Sequence, residues 1–209
     1  MTGRFITFEG GEGVGKSTQM HLLAERLSAD GRDVLQTREP GGTPGAEAVR
    51  HVVLGGFAKR FGVEVEAALF AAARRDNVEQ IIRPALRAGR TVLCDRYMDS
   101  SRVYQGAVGG ADEVLMHAFE AAATEGARPD LTLIFDLPAE EALERMRARQ
   151  GAGADDRYER EGLEAHRRRR EAFLAIARAD PDRCVVIDAR GEPERIAERV
   201  AAATQAALA

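Results

Sequence analysis

A glycine-rich loop near the amino terminus carries the residues best suited to chemistry. Its sequence fits the phosphate-binding pattern G-x-x-x-x-G-K-S/T and reads Gly10-Gly11-Glu12-Gly13-Val14-Gly15-Lys16-Ser17. Glycines allow backbone angles that turn successive N–H groups toward phosphate oxygens. In such loops the lysine reaches the terminal phosphates of a nucleoside triphosphate, and the hydroxyl ligates Mg²⁺. The pattern therefore predicts a triphosphate site with Mg²⁺ at Ser17.

The sequence on either side of the loop supports this interpretation. An apolar run, Phe5–Phe8, precedes the loop, and helical spacing begins at Lys16, so a strand and a helix flank it as the motif requires. A glycine-rich turn capped by a serine is the alternative, and these flanks disfavour it. The glycines do not fit G-x-G-x-x-G, the pattern of dinucleotide sites. The expected ATP-binding residues are Gly10, Gly11, Gly13, Gly15, Lys16, Ser17 and Thr18.

Short apolar runs that alternate with longer helical segments must position this loop. The runs predict strands at Phe5–Phe8, Val34–Thr37, Thr91–Cys94, Leu131–Phe135 and Cys184–Ile187. Such alternation predicts an α/β fold with a five-stranded parallel sheet flanked by helices on both faces. Helices are predicted at Lys16–Ala29, Glu64–Ala88, Asp112–Gly126, Ala139–Gln150, about Arg157–Ala179 and Pro193–Leu208. Pro84 is expected to kink or end the second of these.

Length, composition and charge indicate a single-domain globular protein. The 209 residues suit a single domain, 1–209, and the 44% of apolar residues suits a packed core. The formal net charge of −4 argues against a general nucleic-acid binder. Cys94 and Cys184 lie in apolar runs and are interpreted as buried, reduced thiols. With no signal segment and no apolar stretch long enough for a membrane, a cytoplasmic location is expected.

Several separate motifs, in order along the chain, resemble those of thymidylate kinase over nearly the full length. Besides the loop and the preceding Phe8-Glu9, they are Thr37-Arg38-Glu39-Pro40-Gly41-Gly42-Thr43, Leu69-Phe70-Ala71-Ala72-Ala73-Arg74-Arg75, Asp95-Arg96-Tyr97, Asp99-Ser100-Ser101, Tyr104-Gln105-Gly106, Arg128-Pro129-Asp130-Leu131-Thr132 and Asp156-Arg157-Tyr158-Glu159. The resemblance implies a P-loop nucleoside monophosphate kinase fold with a short lid at about 147–160. It also implies transfer of the terminal phosphoryl group of ATP to dTMP, a step of dTTP synthesis, by a homodimer with Mg²⁺.

The resemblance also implies which residues bind the thymine ring. Phe70 and Arg74 are four residues apart and share one helix face. The phenylalanine matches the one that stacks on thymine in the family, and the arginine matches one that bonds the base. Ser101 and Gln105 match residues that line the base, and Tyr104 is expected to form a wall of the sugar pocket.

Other residues match the family's phosphate side. Arg96 follows a strand end, where open α/β sheets bind ligands, and is expected to hold the monophosphate bidentately. Asp95 is expected either near Mg²⁺, through water, or as a structural acceptor that orients the loop. Arg38 and Arg50 also match acceptor-side arginines.

Glu12 is unusual because a carboxylate inside a phosphate loop would repel phosphate if it pointed inward. It is therefore expected to turn toward the acceptor and to accept a bond from the 3′-hydroxyl. In the family, an acidic residue followed by glycine, here Gly13, goes with a catalytic arginine from the lid. Arg157 matches that arginine of the bacterial-type enzymes, whereas the run Arg167–Arg170 is interpreted as a solvated helix face.

The catalytic set implied by the resemblance is Lys16, Arg96, Arg157 and Glu12. Two alternatives stay open. A kinase for another monophosphate, such as uridylate or guanylate, would keep the fold and change the base pocket. A P-loop regulatory NTPase would hydrolyse slowly without stimulation by an acceptor, although the sequence has no guanine-reading N-K-x-D motif.

Overall fold

The chain is built around one parallel β-sheet. Its structure is a computed structural model that describes residues 3–149, 158 and 161–208. Arg157 and most of the predicted lid, 147–160, lie outside the described residues. The strands are β1 (Arg4–Glu9), β2 (Val34–Arg38), β3 (Thr91–Asp95), β4 (Leu131–Asp136) and β5 (Cys184–Asp188). Each predicted strand lies within one of these, so all five predictions are confirmed.

The strand order is β2-β3-β1-β4-β5, with every pairing parallel. The central strand, β1, is buried on both faces of the sheet. Its successive side chains point to opposite faces, so it contributes to two separate cores. Ile6 and Phe8 pack into the larger core, together with residues of the first and last helices. Phe5 packs on the opposite face against Val78 and Ile82. The predicted sheet with helices on both faces is therefore confirmed.

The helices alternate with the strands as the spacing predicts. They are α1 (Lys16–Ala29), α2 (Pro44–Leu54), α3 (Val63–Asn77), α4 (Arg83–Arg87), α5 (Met98–Ser101), α6 (Glu113–Thr124), α7 (Ala139–Arg149), α8 (Leu163–Ala179) and α9 (Pro193–Leu208). A 3₁₀ turn covers Lys59–Phe61, and π-helical turns cover Val78–Ile82 and Arg102–Ala107. None of the described helices combines the length and apolar character needed to cross a bilayer.

The helix predicted at Glu64–Ala88 is interrupted, as the sequence predicts. It is divided into α3, the π-helical turn at Val78–Ile82, and α4. Pro84 does not end the helix, because α4 runs through it to Arg87. In a regular α-helix a proline ring clashes with the carbonyl four residues earlier, which for Pro84 is that of Gln80. The π-helical turn Val78–Ile82, which is wider than an α-helical turn, includes this position. The interruption thus comes before the proline rather than at it.

Helix α2 is missing from the sequence prediction, although its start carries a local signal. The Thr43 hydroxyl accepts a hydrogen bond from the Ala46 N–H at 3.1 Å, and Pro44 occupies the first helical position. A threonine cap followed by proline is a common helix start. The two cysteines, Cys94 and Cys184, are buried free thiols, as predicted.

Candidate functional site

A cavity of about 190 Å³ opens at the carboxyl ends of β1 and β3. Parallel strands present their loops at this edge, where open α/β sheets bind ligands. The cavity brings together residues from six separate motifs, and Arg50 as well. Those that line it are Glu12, Ser17, Arg38, Arg50, Phe70, Arg74, Asp95, Arg96, Ser101, Tyr104 and Gln105. All the residues predicted for dTMP are among them.

The phosphate loop lies at one end of this cavity. Gly10 and Gly13 have φ angles of +132° and +77°, and an added Cβ would lie 2.7 Å from the Phe135 carbonyl and 2.4 Å from the Ala142 carbonyl, respectively. Only glycine fits both positions. The Lys16 ammonium donates to the carbonyls of Gly10 and Gly11 at 3.0 and 2.6 Å. Burial, with the nearby charge of Arg96, lowers the pKa of Lys16 to about 8.

Ser17 and Asp95 form the part of the site that suits a metal ion. The Ser17 hydroxyl donates to Asp95 Oδ2 at 2.6 Å. The other oxygen, Oδ1, is buried and has no hydrogen-bond partner in the described part of the chain. Mg²⁺ prefers oxygen ligands and is usually held by one or two protein groups plus water and substrate phosphates. These two residues fit that pattern, and the described ranges hold no group of three or more acidic, His or Cys side chains placed to bind a metal ion by themselves. Thr18 follows, exposed, in the first turn of α1.

Glu12 is buried, and several donors converge on its carboxylate. Oε1 accepts hydrogen bonds from Arg96 at 3.2 Å and from the Tyr104 hydroxyl. Oε2 lies 3.4 Å from Arg169 Nη1 and 3.5 Å from His166 Nδ1. Burial alone would raise the pKa of Glu12, but Arg96, Arg169 and the Tyr104 bond lower it to about 2. Glu12 is therefore a buried anion whose side chain faces Arg96, Tyr104 and Arg169.

Arg96 contacts the phosphate loop at two places, the Glu12 carboxylate and the Gly10 carbonyl. Its φ of +67° is unusual for a residue with a side chain. The backbone N–H donates to the Phe8 carbonyl at 2.9 Å, which ties the β3 loop to β1. Its guanidinium donates to the Gly10 carbonyl at 3.1 Å and to the Ser100 hydroxyl at 3.2 Å. Burial would lower the pKa of Arg96, but Tyr104 and Glu12 raise it, so the guanidinium stays charged.

Glu9 supports the same loop and is absent from the predicted site. Its carboxylate accepts bonds from the backbone N–H groups of Tyr97 and Ser100, at 2.8 and 3.1 Å, and from the Ser100 hydroxyl at 2.7 Å. Burial and the charge of Asp99 raise the pKa of Glu9 to about 7. A glutamate that ends a fully buried strand is the sequence signal that could have identified it, because such a charge needs partners.

The other end of the cavity is formed by Phe70 and Arg74 of α3. Arg74 is almost fully buried, and its guanidinium donates to Glu39 at 2.7 Å, to the Ser101 hydroxyl at 3.1 Å and to the Tyr97 carbonyl at 2.8 Å. Burial raises the pKa of Glu39, and the charge of Arg74 opposes that rise. Three of the five guanidinium N–H groups are used in these bonds, which fix the plane of the group and leave two donors.

Gln105 and Tyr104 come from the π-helical turn after α5. Gln105 Nε2 donates to Glu66 Oε1 at 2.9 Å and to the Tyr158 hydroxyl at 3.0 Å. The Tyr104 ring meets the Tyr158 ring edge to face, with centroids 4.9 Å apart. Tyr158 also lines the cavity and closes one side of it. In sequence, Tyr158 directly follows Arg157, the predicted lid arginine.

Arg38 and Arg50 line the cavity from β2 and α2. Arg38 is about half exposed and pairs with Glu47 at 3.0 Å. Arg50 donates to the Pro40 carbonyl at 2.9 Å. Both arginines line the cavity, and Arg38 is the more exposed of the two.

The interpretation of Arg167–Arg170 as a solvated face is wrong for two of its members. Arg169 is only 2% exposed and bonds Glu12, the Tyr158 carbonyl and Glu161. Arg170 is partly buried and forms two bonds with Asp136. The buried residues of α8 are His166, Arg169, Phe173 and Ala177. Their spacing of three and four marks one helix face, a signal that the run of arginines obscured.

Comparison with known proteins gives consistent results. The sequence model of a family described as thymidylate kinase matches residues 8–200. A protein named thymidylate kinase from Nitrobacter winogradskyi is 54% identical over 201 residues, which cover 96% of this chain and 87% of that protein. One from Bradyrhizobium sp. is 53% identical over 194 residues, or 93% of this chain and 86% of that protein. The crystal structure of thymidylate kinase from Ehrlichia chaffeensis is similar, with a TM-score of 0.78, 33% identity and coverage of 98% of this chain and 100% of that one.

Proposed function

The chain belongs to the thymidylate kinase family, and on that basis we propose that it transfers the terminal phosphoryl group of ATP to dTMP, giving dTDP and ADP. One observation carries the proposal: a single cavity joins Ser17 of the phosphate loop to Phe70, Arg74 and Gln105 of the predicted base pocket. A donor site and an acceptor site that share one cavity can bring two nucleotides into contact.

At the donor end, Lys16 and the backbone N–H groups of the loop bind the ATP phosphates. Ser17 would hold Mg²⁺, and Asp95 beside it would contact the metal through water. Mg²⁺ held there would supply positive charge that neutralises the group being transferred. The transition state needs little covalent help from protein, so positioning and charge stabilisation supply most of the rate.

At the acceptor end, Arg96 holds the dTMP phosphate and aims it for in-line attack. Its guanidinium is fixed by the Gly10 carbonyl, Ser100 and Glu12. The attacking phosphate oxygen is already ionised near neutral pH, so the reaction requires no general base. Arg38 and Arg50 add positive charge at the same side of the cavity.

Glu12 has a positioning role as well as the predicted bond to the 3′-hydroxyl. Its Oε1 already accepts from Arg96 and Tyr104, and its Oε2 has longer contacts, at 3.4 and 3.5 Å. A 3′-hydroxyl would therefore meet the Oε2 side of the carboxylate, in competition with Arg169. Glu12 fixes Arg96 whether or not the sugar is present.

The bacterial-type lid arginine completes the proposed catalytic set. Arg157 neutralises the transferring group together with Lys16, because Gly13 supplies no basic side chain. Replacing Arg157 by Ala should lower turnover by on the order of 10³, the range known for arginine fingers. Turnover of Arg157→Ala within about threefold of the parent would show that the lid assignment is wrong.

The reaction is tested by ADP production in a coupled assay with ATP, Mg²⁺ and each nucleoside monophosphate in turn. Strong stimulation by dTMP alone is the expected result. Stimulation by a different monophosphate would keep the mechanism and overturn the base pocket. No stimulation by any of them would favour a regulatory NTPase instead.

A homodimer and a cytoplasmic location are parts of the same proposal. The family resemblance supports the dimer, and sedimentation equilibrium of the purified chain would test it. The buried free thiols Cys94 and Cys184 suit a reducing compartment, which supports the location.

A further inference from the structure

Arg183 and Asp99 form a buried ion pair that lies outside the cavity lining. Arg183 is 4% exposed, and Asp99 is 0% exposed. Two parallel hydrogen bonds join them, from Nη1 to Oδ2 at 2.6 Å and from Nη2 to Oδ1 at 3.0 Å. Neither residue is among those that line the cavity. A bidentate pair of this kind fixes the direction of the carboxylate as well as its distance.

Arg183 is anchored to the sheet at the amino end of β5. Its backbone carbonyl accepts a bond from the Thr132 N–H of β4 at 2.8 Å. Its guanidinium also donates to the Thr132 hydroxyl at 2.5 Å and to Asp180 at 2.8 Å. Together with the bonds to Asp99, these use four of the five guanidinium N–H groups. Arg183 is therefore held in place by the sheet and in turn holds Asp99.

Asp99 lies in α5, the short helix that begins two residues after Arg96. A helix of four residues has little stability of its own, so its position depends on contacts with the rest of the fold. The next residue, Ser100, donates its hydroxyl to Glu9 at 2.7 Å and accepts a bond from the Arg96 guanidinium at 3.2 Å. The helix is thus anchored at two neighbouring residues, Ser100 to β1 and Asp99 to Arg183. A shift of Asp99 would move Ser100, which is one of the groups that fix Arg96.

Asp99 needs this partner because of the charges around it. Burial and the charge of Asp99 raise the pKa of Glu9, so two carboxylates that share a buried region repel each other. Arg102 also bonds Asp99, at 3.1 Å, but it belongs to the turn that directly follows α5 and moves with that helix. Arg183 supplies its positive charge from the sheet, across 84 positions in sequence. Without Arg183, the repulsion from Glu9 would displace Asp99 and α5 with it.

We propose that Arg183 is a positioning residue for the acceptor phosphate, which acts through Asp99 and Ser100 to set the place of the Arg96 guanidinium. The inference rests on the proposed function, in which Arg96 holds the phosphate of dTMP. It adds to that function a residue outside the cavity lining, at the start of β5.

The base end of the cavity has support that does not depend on Arg183. Ser101 of α5 accepts a bond from Arg74 at 3.1 Å, but Arg74 is also held by Glu39, at 2.7 Å. A change at Arg183 should therefore weaken the binding of the phosphate and leave that of the thymine ring unchanged.

Arg183→Lys tests the proposal with little risk to folding. Lysine keeps a positive charge beside Asp99, so no buried carboxylate is left unpaired, but it cannot form the bidentate pair. We expect the Kd for dTMP to rise about fivefold, and the Kd for thymidine, which lacks the phosphate, to stay within about twofold of the parent. Isothermal titration calorimetry measures both. Arg178→Lys, at an exposed position of α8, is the matched control and should bind both ligands like the parent.

A second variant and a double-variant comparison separate positioning from general support of the fold. Arg183→Met combined with Asp99→Asn removes both charges of the pair and should raise the Kd for dTMP about tenfold. In a Ser100→Ala background, Arg183→Lys should change the Kd for dTMP by less than about twofold, because the residue through which it acts is gone.

Three results would overturn the proposal. They are equal weakening for dTMP and thymidine, an undiminished effect of Arg183→Lys in the Ser100→Ala background, and parent-like affinity for dTMP in both Arg183 variants. A parent protein that does not bind dTMP would instead defeat the proposed function.

Discussion

The two ends of the cavity use charge in different ways. At the phosphate end, Arg96 and Arg169 converge on one carboxylate, Glu12, and Lys16 lies beside them. At the base end, each donor faces its own carboxylate: Arg74 bonds Glu39, and Gln105 bonds Glu66. The two arrangements match the two chemically different parts of a nucleotide. Excess positive charge suits the anionic phosphate, whereas compensated and oriented donors suit a neutral ring.

The largest expected effect comes from removing the positive charge that faces the acceptor. Arg96→Ala should lower kcat/KM for dTMP by about 10³, because the variant loses both phosphate binding and the partner of Glu12. Arg96→Lys keeps the positive charge but cannot bind phosphate bidentately. Its kcat/KM for dTMP should lie between that of the parent and that of Arg96→Ala. Coupled-assay kinetics at varied dTMP measure both. Equal kinetics for Arg96→Ala and the parent would remove Arg96 from the acceptor site.

Arg169 supports the phosphate end of the cavity through its bond to Glu12. Arg169→Met should lower the free energy of unfolding by about 3 kcal/mol, because it leaves Glu12 buried with one cation fewer. Arg168→Met is the matched control, since Arg168 is exposed on the same helix, and should stay within about 0.5 kcal/mol of the parent. Urea unfolding monitored by circular dichroism would measure both. Equal losses would show that Arg169 contributes no more than its exposed neighbour.

Glu9, at the end of β1, and Glu12, in the phosphate loop, have opposite pKa shifts. Burial raises the pKa of Glu9 to about 7, so its contribution to stability is full below about pH 4.5 and is lost as the pH rises through 7. Glu12, with its pKa lowered to about 2, contributes above about pH 4.5 and loses that contribution as the pH falls toward 2. Glu9→Gln should therefore reduce the loss of stability between about pH 5 and pH 8, by on the order of 2 to 3 kcal/mol.

Urea unfolding of the parent and of Glu9→Gln at those two pH values is the measurement. Because Gln cannot ionise, the variant serves as the reference for all other titrating groups. Identical losses in the two proteins would show that Glu9 ionises in the folded chain as easily as in the unfolded one.

The smallest predicted effect belongs to the base end. Phe70→Ala should raise the KM for dTMP roughly tenfold and leave kcat within about twofold, because stacking on a base binds ground and transition states alike. Phe61→Ala is the control, since Phe61 is 59% exposed and outside the cavity lining. A fall in kcat with unchanged KM would mean that Phe70 positions the reacting groups rather than the ring.

Local sequence signals were sufficient for the strands and the phosphate loop, whereas the residues that line the rest of the cavity came from the family resemblance. The strands are short apolar runs, and Phe70 and Arg74 share a helix face by spacing alone. The contacts of Glu66 and Glu39 were not predictable, because each joins residues at least 35 positions apart in sequence. Arg169 was misread since a run of four arginines resembles a solvated face, although the buried spacing of α8 includes it.

Isothermal titration calorimetry of the purified protein with dTMP and with dCMP tests most directly whether the base end of the cavity distinguishes thymine from cytosine. The phosphate and the sugar are the same in both ligands, so any difference in affinity reports on the pocket around Phe70, Arg74 and Gln105. We predict that dTMP binds at least about tenfold more tightly than dCMP. Equal affinities would contradict the assignment of that pocket and leave only the phosphate end of the site in place.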